Sequence, residues 1–110
     1  MSTAKQLHID LILDECGLLV NPNDWNESLA IAIARRNGID MLTPDHWKVI
    51  HALREHYARF GVAPAMHNIC HHYGHKTNWA HNLFHTCLNA WRVAGLPDPG
   101  EEAKSYLSNM

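Results

Sequence analysis

The stretch TPDHWKVIHALREHYARFG, from Thr43 to Gly61, constrains the fold more than any other part of the chain. Thr43 is a ready helix N-cap, Pro44 fits the first helical position, and Asp45 favours the positive end of the helix dipole. Trp47, Ile50, Leu53, Tyr57 and Phe60 follow at helical spacing, with His46, Arg54, Glu55 and Arg59 among the polar positions. Gly61 ends the run.

Other elements take their places around this helix. Leu29, Ile33 and the alanines at 30, 32 and 34 predict a helix from near Glu27 to Gly38. Pro64 opens another over 64–73, and two short helices follow over 77–84 and 86–94. At the N-terminus, LHIDLILDECGLLV carries β-branched and leucine residues on either side of Asp14-Glu15-Cys16-Gly17, which predicts a hairpin. The expected fold class is therefore α+β, a small N-terminal antiparallel β-meander packed on an array of about five helices. Pro97 and Pro99 stiffen residues 95–100 into an elbow. Beyond it only Tyr106, Leu107 and Met110 are apolar, which divides the chain into a domain at 1–99 and a flexible C-terminal arm at 100–110.

Composition narrows the function. A chain of 110 residues is one domain in size. Nine Lys and Arg against eleven Asp and Glu weigh against tight, non-specific nucleic-acid binding. Three cysteines, Cys16, Cys70 and Cys87, fit neither a disulfide framework nor a four-ligand zinc site, and the odd count points to a reducing compartment. With no apolar run of about 20 residues, a cytoplasmic protein free of the membrane is expected. Ten histidines are the unusual feature, six of them between His67 and His85.

Each candidate chemistry has a plainer counterpart. His67, Cys70 and His71 stand at i, i+3 and i+4 on one helix, and imidazole with thiolate suits zinc or copper. The plainer assignment places these histidines on an exposed face with Cys70 in the core, and no resident metal or other cofactor is expected. His81 and His85 form a second such pair. Cys87 sits at the start of a helix, where the dipole lowers a thiol pKa, yet it shares a face with Leu88 and Trp91, which places it in the core. Helices 44–60 and 64–73, joined by the turn at 61–63, have the proportions of a helix-turn-helix. The second helix brings no Arg or Lys to bases, so DNA is the weaker partner.

DECGLLVNPNDW (14–25), LTPDHWKVIHALREHY (42–57), FGVAPA (60–65), LF (83–84) and AGLPDP (94–99) stand in order at characteristic separations. Together they resemble the DsrC/TusE family, the gamma-subunit-like partners of dissimilatory sulfite reductase and the sulfur-relay proteins of tRNA thiolation. The resemblance spans residues 7–99. It implies a β-meander against about five helices, a protein partner of the sulfur-relay or sulfite-reductase type, a monomer, and an arm whose penultimate cysteine carries sulfur. In the sulfite-reductase partners it also implies a second cysteine just before the Arg-x-Ala-Gly-Leu-Pro block.

Here the residue before Arg92 is Trp91, and residues 93–110 contain no cysteine. His67 and His71 stand where the family carries arginine and lysine, and the link between Phe84 and Trp91 lacks the usual Gly-Pro. The resemblance thus implies a non-enzymatic paralogue that docks without cargo, with Arg92, Gly95, Leu96, Pro97 and Pro99 aiming the arm and Tyr106 and Leu107 anchoring it. A carrier that has moved its thiol to Cys87 is the alternative, and a DNA-binding or metal- or pH-sensing regulator through helix 64–73 is a third.

Overall fold

Three of the α-helices described begin where a side chain takes up a free N–H group of the first turn. The computed structural model describes residues 12–109. Among them, Asn26 accepts from the Leu29 amide and opens α1 (Glu27–Arg36), and Thr43 accepts from the His46 amide and opens α2 (Pro44–Phe60). Then come α3 (Met66–His72), α4 (Trp79–Phe84) and α5 (Cys87–Val93), the last capped by Thr86 through the Asn89 amide at 3.1 Å. A final helix, α6, covers Glu101–Ser108. None of these is long and apolar enough to cross a membrane.

The expected α+β class is not what forms. Among the described residues there is no strand, only one isolated antiparallel bridge between Leu13 and Leu19, so the chain is helical. The first limb of the expected meander, residues 7–11, lies outside the described residues. Locally the Asp14 carboxylate accepts from the Cys16 and Leu18 amides at 2.8 and 3.0 Å and closes a tight turn, and the pairing beside it is limited to two backbone bonds, from the Asp14 amide to the Leu18 carbonyl at 2.7 Å and from the Val20 amide to the Ile12 carbonyl at 3.0 Å. Leu18 and Leu19 are consecutive and both fully buried, a pattern that no half-exposed strand satisfies. They lie under the helices as an extended segment of the core.

α5 is the centre of the molecule and packs against α1, α2, α4 and α6. Its Trp91 and Val93 join Ile33, Ile50, Leu53, Phe84 and Leu107 in one buried cluster. His46, grouped with the polar positions of α2 by spacing, is buried instead. Its Nδ1 accepts from the Thr43 amide at 3.0 Å, so Nε2 carries the proton and donates to the Leu83 carbonyl at 2.8 Å. One imidazole thus ties the start of α2 to the end of α4, edge-on to Phe84.

The link between α4 and α5 leaves a mark on the backbone. His85 has φ +72° and ψ −40°, and it is the one non-glycine residue at positive φ among the described residues. That region disfavours a Cβ. His85→Gly is therefore expected to stabilise the fold by about 1 kcal/mol, read as a rise in the urea midpoint at unchanged slope. A lowered midpoint would show that the imidazole contributes more than its backbone strain costs.

Candidate functional site

The elbow between α5 and α6 is held by side chains from three parts of the chain. The Trp25 indole donates from Nε1 to the Val93 carbonyl at 3.0 Å. Arg54 of α2 stacks on that indole, its Cζ 4.1 Å from the ring centre, and donates from one terminal nitrogen to the Ala94 carbonyl at 2.6 Å. Burial lowers the pKa of this guanidinium below the ordinary arginine value. Trp91 donates from Nε1 to the Pro97 carbonyl at 2.8 Å and meets Tyr57 edge-on. Gly95 turns the chain at φ +70°, with the Trp25 side chain where a Cβ would stand. Leu96 fills the core beneath.

Arg92 ties the Asp14 turn to this frame. Its Nε donates to the Cys16 carbonyl at 2.8 Å and a terminal nitrogen donates to Asn89 Oδ1 at 2.7 Å. Beside it lies a cavity of about 310 Å³, lined by Asp14, Cys16, Gly17, Arg36 and Arg92 among others. Past the elbow, Asp98 accepts from the Gly100 amide at 2.8 Å and from Lys104 Nζ at 2.9 Å, and Lys104 also meets Glu101 at 2.9 Å. Lys104 Nζ stands 3.9 Å from Cys16 Sγ. From α6, Leu107 is fully buried, and the Tyr106 hydroxyl accepts from the Met66 amide at 2.9 Å. The latter bond caps α3, whose N-cap residue Ala65 has no side-chain acceptor.

The residues named from the sequence for aiming and anchoring the arm are mostly tied to the body, at separate places, while Pro99 is half-buried. Gly95, Leu96 and Leu107 are buried, Pro97 and Tyr106 accept hydrogen bonds from the body, and Arg92 braces the facing turn. Spacing alone did not single out Trp25, Arg54 or Lys104. The motif blocks held the signal for the first two, since NPNDW and the α2 block accompany AGLPDP in the same pattern. Lys104 carried none.

The other candidates part company. Cys70 turns inward, its thiol 3.6 Å from the Thr77 carbonyl, while His67 and His71 are exposed. Among the described residues no three or more His, Cys, Asp or Glu gather to hold a metal ion. The exposed positions of α3 are His67, Asn68, His71 and His72, with no arginine or lysine among them. Cys87 is buried, and its thiol is pushed up to about 11 by burial and by neighbouring Cys70. Cys16 is the one cysteine of the three that is not buried. Alkylation of the native protein at pH 8 should label Cys16 first and reach Cys70 and Cys87 only on unfolding, read by peptide mass spectrometry. Early labelling of Cys87 would contradict its burial.

The Asp98–Lys104 latch has a defined pH range. Hydrogen bonds from Lys104 and then from the Gly100 amide hold the Asp98 carboxyl below its ordinary value of 3.8. Glu101 first and Asp98 second raise Lys104 above its ordinary 10.5. A lowered carboxyl stabilises above its unfolded value and loses that contribution as pH falls through the folded one; a raised ammonium persists until pH climbs past the lysine range. Amide protection at Tyr106 and Leu107 is therefore expected to stay level from about pH 5 to 9 and to fall below about pH 3.5. Asp98→Asn should lower it across the whole range, and an unchanged variant would remove the latch from the account.

Known proteins resemble this chain over most of its length. The chain is 32% identical over 99 residues to the sulfurtransferase TusE of Salmonella choleraesuis (strain SC-B67), covering 82% of this chain and 90% of that one. The sulfurtransferase TusE of Escherichia coli (strain K12) is 32% identical over 95 residues, covering 78% and 86%. Among solved structures, the oxidized gamma-subunit of the dissimilatory sulfite reductase (DsrC) from Archaeoglobus fulgidus superposes with a TM-score of 0.72 at 32% identity, covering 81% of this chain and 89% of that one. Dissimilatory sulfite reductase I (DsrI) gives a TM-score of 0.71 at 28% identity, covering 81% and 88%. The model of the family described as DsrC like protein matches residues 6–101, and with that match spanning most of its length the chain belongs to the DsrC-like family, whose sulfurtransferase members it resembles.

Proposed function

We propose that this chain is a docking or regulatory partner of sulfur-transfer or sulfite-reductase machinery that has lost the persulfide-carrying cysteines and delivers no sulfur from its arm. The observation that carries this reading is the residue content of the elbow and arm. Residues 93–110 have no thiol, and the position before Arg92 holds a buried tryptophan whose indole is bonded to Pro97. A thioether or an amide forms no persulfide, so neither Met110 nor Asn109 replaces the missing group. The frame around the arm is nonetheless intact, and Arg92, Gly95, Leu96, Pro97, Pro99, Tyr106 and Leu107 would present it to a partner. This division of scaffold from chemistry is common, because function resides in particular atoms set on a fold.

A carrier based on Cys87 is disfavoured by the burial of that thiol and its raised pKa. The test is to immobilise the full chain under reducing, anaerobic conditions, capture proteins from the host's soluble extract, and then supply ³⁵S-labelled sulfane sulfur. Capture of a sulfite-reductase- or sulfurtransferase-type protein, with no ³⁵S passing through this chain to it, is the expected result. Transfer of label through any cysteine of the chain would overturn the cargo-free reading, and peptide mapping would name the residue.

A further inference from the structure

Three pairs of histidines in this chain share a spacing of four residues: His67–His71, His71–His75 and His81–His85. On a helix that spacing sets two side chains one above the other on one face, with about 5–6 Å between their Cβ atoms. The first pair alone keeps that geometry. His67 and His71 both lie within α3. His75 comes after that helix has ended, past Gly74 at φ +77°, and His85 has left α4 at φ +72°. Met66, Ile69 and Cys70 are buried on the other side of α3, so they pin the helix and leave His67 and His71 facing solvent.

The two rings are also uncommitted. His46 is bonded to the Leu83 carbonyl, and His51 stacks on Trp47 with 5.9 Å between ring centres. His56 meets Phe60 at 4.7 Å, His72 meets Tyr73 at 4.9 Å, and His75 stacks on Trp79 at 4.2 Å. His81 is engaged as well. Among the described residues, His67, His71 and His85 are the histidines with neither a hydrogen bond nor a ring contact, and of these only His67 and His71 share a helix face.

Donor chemistry says what such a pair takes. A neutral imidazole with a free lone pair suits Zn²⁺, Ni²⁺ and Cu²⁺. Between Glu55 and Asp98 the chain has no Asp or Glu, so that span offers none of the carboxylate oxygens that Mg²⁺ and Ca²⁺ require. A closed structural zinc site takes four protein ligands, and among the described residues no three gather. Two make an open chelate instead, with water or donors of another molecule in the remaining positions.

We propose that His67 and His71 form a two-ligand site on α3 for a divalent transition-metal ion of the zinc and nickel class. The ion closes a ring across one helical turn, and only the helical form presents both imidazoles to it. Binding therefore stabilises α3, whose N-cap residue Ala65 supplies no side-chain acceptor. The site stands apart from the elbow and the arm and does not depend on the docking reading given above.

The experiment uses the full chain, ¹⁵N-labelled, in a non-chelating buffer at pH 7.5, alongside a Cys16→Ser version that removes the one thiol not buried. Zn²⁺ is followed by calorimetry, Ni²⁺ by paramagnetic broadening of amides, and Mg²⁺ serves as the control. Zn²⁺ is expected to bind both versions alike and to slow amide exchange in α3. Ni²⁺ should broaden the amides of residues 66–72 most strongly, and Mg²⁺ should do neither. His67→Gln and His71→Gln, both at exposed positions, should each weaken Zn²⁺ binding about tenfold or more, because a single imidazole forfeits the chelate. His85→Gln should leave it unchanged. Undiminished affinity in either α3 variant, loss of binding with Cys16→Ser, broadening centred elsewhere, or no broadening even with excess Ni²⁺ would each overturn the proposal.

Discussion

Gly95→Ala is expected to destabilise the protein by about 4 kcal/mol or more, enough to consume much of the stability of a domain this size. Two costs add at this position. With φ at +70°, a side chain would sit in the left-handed region at a cost of about 1–2 kcal/mol. The new Cβ would also fall 2.0 Å from Trp25 Cδ1 and 2.6 Å from its Cγ, so the indole has to leave. Its departure breaks the bond to the Val93 carbonyl and removes the surface on which Arg54 stacks. Gly38→Ala is the control, since Gly38 has φ +83° but nothing within 4 Å of its missing Cβ. That variant should lose only the backbone cost. Thermal melts of the two should differ by roughly 10–20 °C. Equal melting temperatures would mean that the indole relaxes without penalty and that Trp25 does not set the identity of residue 95.

The second large effect is expected at Trp91. Truncation to alanine in a fully buried site costs about 3–5 kcal/mol from lost burial and the cavity left behind. The Pro97 carbonyl also loses its donor, as does the edge contact with Tyr57. Trp91→Phe separates these contributions. It keeps most of the bulk, so the overall loss should be near 1–2 kcal/mol, but it removes the indole N–H. Hydrogen exchange should then quicken selectively between residues 97 and 109, with α1 and α2 little changed. Uniform quickening would mean that Trp91 is core filling alone, without a particular hold on the elbow. A phenylalanine variant as stable as the parent would remove the hydrogen bond from the account.

Much of the helical frame is legible in the residues because its signals are local. Asn26, Thr43 and Thr86 mark helix starts with a side-chain acceptor, and Gly61 closes α2 at φ +68°. The expected helices at 44–60, 77–84 and 86–94 agree with α2, α4 and α5 to within two residues at either end. Two segments are not legible, for opposite reasons. The Asp14–Gly17 turn looks like the tip of a hairpin, and among the described residues its pairing goes no further than the Leu13–Leu19 bridge with one backbone bond on each side, Asp14 to Leu18 and Val20 to Ile12, while Asp14 closes the turn with its own carboxylate beside two buried leucines. Helix α6 is eight residues long with few apolar positions, too short to be stable from propensity alone. Its stability comes from Leu107 in the core and Tyr106 at the end of α3, contacts across long separations in sequence. The same limit hid the roles of His46 and Arg54, whose polar ends reach carbonyls of other helices and so spend their polarity inside the fold. That residues 93–110 hold no cysteine is, by contrast, plain in the residues.

The clamp on residues 93–97 also fixes a tether length. Because carbonyls of Val93, Ala94 and Pro97 are each held by a body side chain, any displacement of the arm that leaves the core whole has to begin after Pro97, at Asp98, Pro99 and Gly100. From Pro97 to Leu107 the chain, drawn out fully, spans about 35 Å. A partner that pulls the arm away gives up the Leu107 contact and the cap on α3, and a surface that takes Leu107 in exchange must lie within that radius of Pro97. A receiving site for Leu107 farther off is out of reach unless the two bodies themselves come together, which makes the geometry of the approach a filter on what can replace the body as the partner of this side chain.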